Sequence, residues 1–272
     1  MRQTWRVSVA TNSRGRRAGI AVTIVLLVAL AFAGVWAFQR SNAEADPVAE
    51  SLPLVVLVSG YGGTGDDTEP LSEALRADGR DVAVFPPVGD NTGDLEDQAR
   101  ILGEFIDAES SSVEGRDPRS VDVIGFSAGG VVARLWASDV DGAAKARRIL
   151  TIAAPHHGTR LAGLADLGGF CEGACAQLVP GSALLERLNG GDETPPGPEW
   201  ITIWSESDRT VSPVQTANLE GSLGFAVQSV CPEAQTGHLQ LPGSPVVLAA
   251  LSSTLGGETP AAPDVADVEC QS

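Results

Sequence analysis

The stretch DVIGFSAGGVVARLW (Asp122–Trp136) constrains the fold of this chain more than any other. SVDVIGF is short, apolar and β-branched, which predicts a strand. Val131, Val132, Leu135 and Trp136 recur at helical spacing just after it. Between the two, Gly125, Ser127 and Gly129 spell G-x-S-x-G, the pattern of a sharp strand-to-helix turn that holds a serine hydroxyl exposed. Side chains at the flanks would collide across so tight a turn, hence the glycines. A glycine-rich βα turn with an incidental serine is the bland reading. The strand–turn–helix context favours a nucleophile at Ser127.

The rest of the chain keeps the same alternation. LPLVVLVSGYGG reads as a strand buried on both faces and stopped by glycines. TEPLSEALRADG follows as a helix with Leu71, Ala74 and Leu75 on one face, closed by Gly79. DVAVFPP predicts a second strand, and TGDLEDQARILGEFIDAES a long helix burying Leu95, Ala99, Leu102 and Ile106. After the serine turn come RRILTIAAP, EWITIWSES and FAVQSVC as the fourth to sixth strands, and SPVVLAALSSTL as a closing helix. Such alternation implies an α/β fold with a mostly parallel, doubly wound sheet of about six strands. Residues 156–199 break the rhythm. They are too long for a plain crossover and read as a functional cap insertion, with a short helix around GSALLERLN.

Charge is unevenly placed. Six of the 18 basic residues lie in the first forty positions, where there is no acid, so the remaining chain sets 12 against all 35 acidic residues. An acidic body argues against nucleic acid as a partner and favours a neutral or apolar small molecule. Ala18–Phe38 is an uncharged apolar run long enough to span a bilayer. The arginines before it predict a cytoplasmic N-terminus and export of all that follows. The expected order is a basic segment 1–17, a transmembrane signal-anchor 18–38, a linker 39–52, a catalytic domain 53–255 and a tail 256–272. Cleavage near NAEA (Asn42–Ala45) would instead give a secreted protein. Four cysteines in the exported part predict two disulfides. Of the three possible pairings, a local Cys171–Cys175 loop with Cys231–Cys270 tying down the tail is expected. No metal-ligand spacing accompanies CEGAC.

A serine nucleophile needs a base, an acid and an oxyanion hole. In folds with this turn the order is Ser, then Asp or Glu, then His, with the histidine beyond the last strand. That selects His238, while His156 and His157 are read as holding their own loop. The acid comes from SESDRTVSP, where Asp208 lies past the strand end and Glu206 is the reserve. Backbone N–H groups of Ala128 and Tyr61 are the expected oxyanion donors. GYGGTG matches neither a dinucleotide nor a P-loop pattern. Gly62, Leu161 and Leu164 are expected to contact substrate, with Leu167, Phe170 and Leu178 completing an apolar lining.

VSGYGGT, GFSAGG and TIAAPHHGT together resemble the bacterial lipase/esterase α/β-hydrolases, the class-2 or Bacillus–Streptomyces-type triacylglycerol lipases. SDRTVSP and GHLQL match the acid and histidine segments in position. The resemblance covers residues 53–255. It implies the α/β-hydrolase fold, the triad Ser127, Asp208 and His238, oxyanion donors Tyr61 and Ala128, and ester hydrolysis. No cofactor or metal site is expected. Two residues depart from the pattern: Ser59 replaces a histidine at the strand end, and Ala128 replaces a methionine. Acyl transfer or thioester cleavage would use the same groups, and a catalytically dead surface binding module is the reading from another class.

Overall fold

The computed structural model describes residues 52–111 and 121–270. The expected transmembrane run 18–38 and most of the linker lie outside them. Among the described residues no helix is long and apolar enough to cross a membrane.

Among the described residues six strands form one parallel sheet in the order β2-β1-β3-β4-β5-β6. They are β1 (Leu54–Val58), β2 (Val82–Val84), β3 (Val121–Phe126), β4 (Ala146–Ile152), β5 (Glu199–Trp204) and β6 (Leu223–Ala226). Successive strand residues point to opposite faces, and here both faces are covered. From β1, Leu54, Val56 and Val58 join one core, with Leu102 and Ile106 of helix α2 (Leu95–Ser111) and Val132, Leu135 and Trp136 of helix α3 (Ala128–Asp139). Val55 and Leu57 join the other, with Leu71 and Leu75 of helix α1 (Glu69–Ala77). That is why β1 reads as an unbroken apolar run. Each of its side chains contributes about 1.5–3 kcal/mol by burial.

The insertion carries three short helices, α4 (Arg160–Leu167), α5 (Ala174–Gln177) and α6 (Ala183–Leu188). Thr159 caps α4 by accepting from Leu161 N, and Ser182 caps α6 by accepting from Leu185 N. The sixth strand is shorter than FAVQSVC suggests. Ala226 pairs with Trp204, the last residue of β5. With no partner left, the chain turns into one helical turn, α7 (Val227–Val230). The closing helix α8 (Pro245–Leu255) has Pro245 in its first turn and Ser244 as a cap that accepts from Val247 N. Both expected disulfides are formed, Cys171–Cys175 with Cα atoms 5.1 Å apart and Cys231–Cys270 with 5.5 Å.

Candidate active site

The turn between β3 and α3 is held by the absence of side chains. A Cβ on Gly125 would lie 2.5 Å from the Gly129 carbonyl oxygen, and one on Gly129 only 2.3 Å from that of Val58. Real Cβ atoms do not come so close, so only glycine lets α3 start this near β1 and β3. Ser127, at the N-cap of α3, takes φ 53° and ψ −127°. Such backbone costs a non-glycine residue on the order of 1–3 kcal/mol and persists only where the surroundings enforce it. Ser127 N donates to Ile152 O at 2.8 Å, which continues the ladder to β4 and pins the turn.

Two later loops converge on this serine. His238 opens a tight 3-10 turn, His238–Gly243, and its ring centroid lies 5.0 Å from that of Phe126. Its Nε2 is 2.9 Å from Ser127 Oγ, and its Nδ1 is 2.7 Å from Asp208 Oδ2. An ionised carboxylate only accepts. Nδ1 therefore carries the proton toward Asp208, and Nε2 is left to accept from the Ser127 hydroxyl. The other Asp208 oxygen is fully used: Oδ1 accepts from Thr210 N at 2.7 Å and Val211 N at 3.0 Å. Glu206, the reserve acid, is exposed, and only its backbone N–H enters the network, donating to Gln228 Oε1.

Sequence reasoning missed the groups that join these loops. Ser205 Oγ donates to Thr236 O at 2.6 Å, and Gln228 Nε2 donates to Ser205 Oγ and to Ala234 O. The acid loop and the histidine loop are thus bound to each other at buried Ser205. Thr159 Oγ1 donates to Thr210 O at 2.5 Å, tying the start of the insertion to the acid loop. Polar contacts between segments so far apart in sequence leave no local pattern.

His156 is fully buried, with Nε2 3.0 Å from Thr151 Oγ1. Burial, reinforced by the nearby Arg134 guanidinium, holds its pKa well below the ordinary imidazole value. His157 Nε2 lies 2.7 Å from Glu193 Oε1. Both histidines fasten their loop and keep clear of Ser127. Arg134, its pKa lowered by burial to about 10, donates to Glu193 O, Asn189 Oδ1 and Leu188 O, which anchors the far end of the insertion.

A cavity of about 320 Å³ opens beside Ser127, bordered by Tyr61 and Ala128 on the sheet side and by Leu161, Ala162, Ala165, Phe170 and Leu178 from the insertion. Neither the Tyr61 nor the Ala128 N–H is taken up by a hydrogen bond among the described residues. Three expected contacts need correction. Leu164 and Leu167 do not line the cavity. At about 100° per residue, α4 aims Leu161, Ala162 and Ala165 inward and turns those two leucines away. Gly62 does not border it either, and its N–H is bound to Asn91 O at 3.1 Å. A second cavity, about 290 Å³, lies behind the histidine loop beside the Cys231–Cys270 bridge, without Ser127 in its lining.

This sheet order with a G-x-S-x-G turn after β3 defines the α/β-hydrolase fold, and comparison with solved structures agrees. Lipase B of Aspergillus fumigatus superposes with a TM-score of 0.66 at 19% identity, over 82% of this chain and 58% of its own. This chain thus spans less than two thirds of that lipase. The mature lipase BlEst2 of Bacillus licheniformis gives 0.56 at 16% identity, over 73% of this chain and 91% of its own. The ydeN gene product of B. subtilis gives 0.51 at 14% identity, over 74% and 97%. At these identities the likeness is one of fold. A family model described as a PGAP1-like alpha/beta domain matches residues 88–172, which include the serine turn. No curated protein matches the sequence.

Proposed function

We propose that this chain is a serine ester hydrolase of the lipase/esterase type, acting through an acyl-enzyme intermediate with Ser127 as nucleophile, His238 as base and Asp208 as acid. The observation that supports it most is the unbroken line of hydrogen bonds from Ser127 Oγ through His238 to Asp208 Oδ2. In this reading Ser127 Oγ attacks the acyl carbonyl while His238 Nε2 takes the hydroxyl proton. Asp208 holds the imidazole in the required tautomer and stabilises its charged form. Negative charge on the carbonyl oxygen is met by the N–H groups of Tyr61 and Ala128. His238 then protonates the leaving alcohol. Water attacks the acyl-enzyme with the same histidine as base and releases the acid.

The apolar cavity formed by Leu161, Phe170 and Leu178 is the proposed acyl site. The motifs that resemble class-2 lipases, and the likeness in fold to the fungal and Bacillus lipases, favour acyl esters or lipids as substrates. Two disulfides and the apolar run Ala18–Phe38 support an exported domain, held at the cell surface or released by cleavage. Hydrolysis of p-nitrophenyl esters of graded chain length tests the reading. Ser127→Ala should lower kcat on the order of 10⁴–10⁶-fold with the fold intact. A folded variant that kept a tenth of the wild-type rate would overturn it.

A further inference from the structure

We propose that Asn91 is the residue that aims the Tyr61 N–H at the reacting carbonyl, a positioning role that rests on the ester-hydrolase reading. The Gly60 carbonyl and the Tyr61 N–H belong to one peptide unit. That unit is planar and trans, so the two groups point in opposite directions. Asn91 Nδ2 donates to Gly60 O at 2.8 Å, and Gly63 N donates to the same oxygen at 3.0 Å. Holding the oxygen on the Asn91 side turns the N–H to the other side. Gly60 itself packs on Ser127, so closely that a Cβ on Gly60 would stand 2.9 Å from Ser127 Cβ. The bond to the carbonyl also polarises the peptide unit and strengthens its N–H as a donor.

Asn91 grips the loop twice, because its own carbonyl accepts from Gly62 N. On the near side, Asp67 Oδ2 accepts from Gly60 N at 3.0 Å. Ser59, one residue earlier, gives no such hold: its Oγ is buried and has no partner among the described residues. Asn91 is itself fixed. It is buried, takes φ 61°, a conformation that asparagine tolerates better than most residues, and donates its N–H to Val88 O at 3.0 Å.

The residue after it is seated by the insertion. Thr92 O accepts from Ala174 N at 3.0 Å, and a Cβ on Gly173 would come within 2.5 Å of that oxygen. The Cys171–Cys175 loop, which forms part of the acyl wall, thereby also braces the segment that aims the oxyanion donor.

The test uses the full chain, p-nitrophenyl butyrate as substrate, and an alkylboronic acid, which forms a tetrahedral anion on the serine. Asn91→Gly keeps the left-handed backbone and removes the side-chain donor. Asn91→Asp keeps the volume and, assayed above the pH at which its carboxyl ionises, also removes it. Losing an oxyanion donor outright costs 10²–10³-fold. A misaimed one should cost about 10–100-fold in kcat, with KM within threefold and boronate affinity falling by the same factor as kcat. A merely structural role would lower the melting temperature without that matched loss. If either variant is folded, with kcat and boronate affinity within threefold of wild type, the proposal is overturned while the ester-hydrolase reading stands. Absence of any Ser127-dependent hydrolysis in the wild type would overturn both.

Discussion

The two walls of the candidate site are built by opposite means. On the sheet side Ser127, Asp208 and His238 are fixed by packing too tight for a single extra carbon and by hydrogen bonds that use up the acid-loop amides. On the insertion side Leu161 of α4 and Phe170 beyond its end remain largely in solvent, 53% and 87% exposed. The first wall has one arrangement available to it. The second can repack around whatever enters. Chemistry should therefore depend on the sheet wall, and the choice of acyl group on the insertion.

The largest effect separating the walls is expected at the acid. Asp208→Asn should lower kcat on the order of 10⁴-fold by releasing the imidazole tautomer, whereas Glu206→Gln should stay near wild type in the same assay. Equal losses in the two variants would mean that the acid loop is not held as described. Glycines sharpen the contrast through stability. Gly129→Ala should cost several kcal/mol or prevent folding, since its Cβ would meet backbone oxygens of Val58 and Ser59 at 2.3 and 2.4 Å. Gly163→Ala, in α4, meets only Pro180 Cδ at 3.9 Å. It should stabilise by about 0.5–1 kcal/mol. Urea denaturation of both variants measures the difference.

A smaller effect concerns the start of the insertion. His156 is neutral when folded, its pKa held below the ordinary value, so only the unfolded chain takes up its proton as pH falls below about 6.5. Its contribution to stability is full above that pH. Below it, that contribution is lost at up to about 1.4 kcal/mol per pH unit, until the folded-state pKa is reached. Between pH 7.5 and 5.5 the wild type should lose about 1 kcal/mol more than His156→Gln; equal losses would contradict the burial argument. Smallest of all, Leu161→Ala or Phe170→Ala should change kcat/KM among acyl chain lengths by about 3–10-fold. That is below the roughly 10–200-fold that a methylene is worth in an enclosed pocket, because both side chains are largely in solvent. The kcat for the best ester should hardly move. A uniform loss across all chain lengths would show that the insertion serves the chemistry rather than the selection.

Much of the sheet wall could be read in advance because its signals are local. The glycines flank Ser127 directly, and Asp208 and His238 each follow a strand in the expected order. The insertion was harder to read. Apolar residues at 161, 164 and 167 announce a helix, yet only its phase against the body decides that Leu161 faces the cavity and Leu164 does not. Asn91 and Gln228 could not be found from sequence at all. Each acts on a segment held near it only by the finished fold, Asn91 on Gly60 and Gln228 on Ser205. FAVQSVC reads as all strand because its apolar run hides where the partner β5 stops.

Covalent labelling tests the central claim most directly. The full chain is treated with a fluorophosphonate, which reacts quickly only with an activated serine, and the adduct is located by peptide mass mapping. A single adduct on the peptide containing Ser127, slowed severely in Asp208→Asn, is the predicted result. An adduct on a different serine, or none on folded protein, would contradict it.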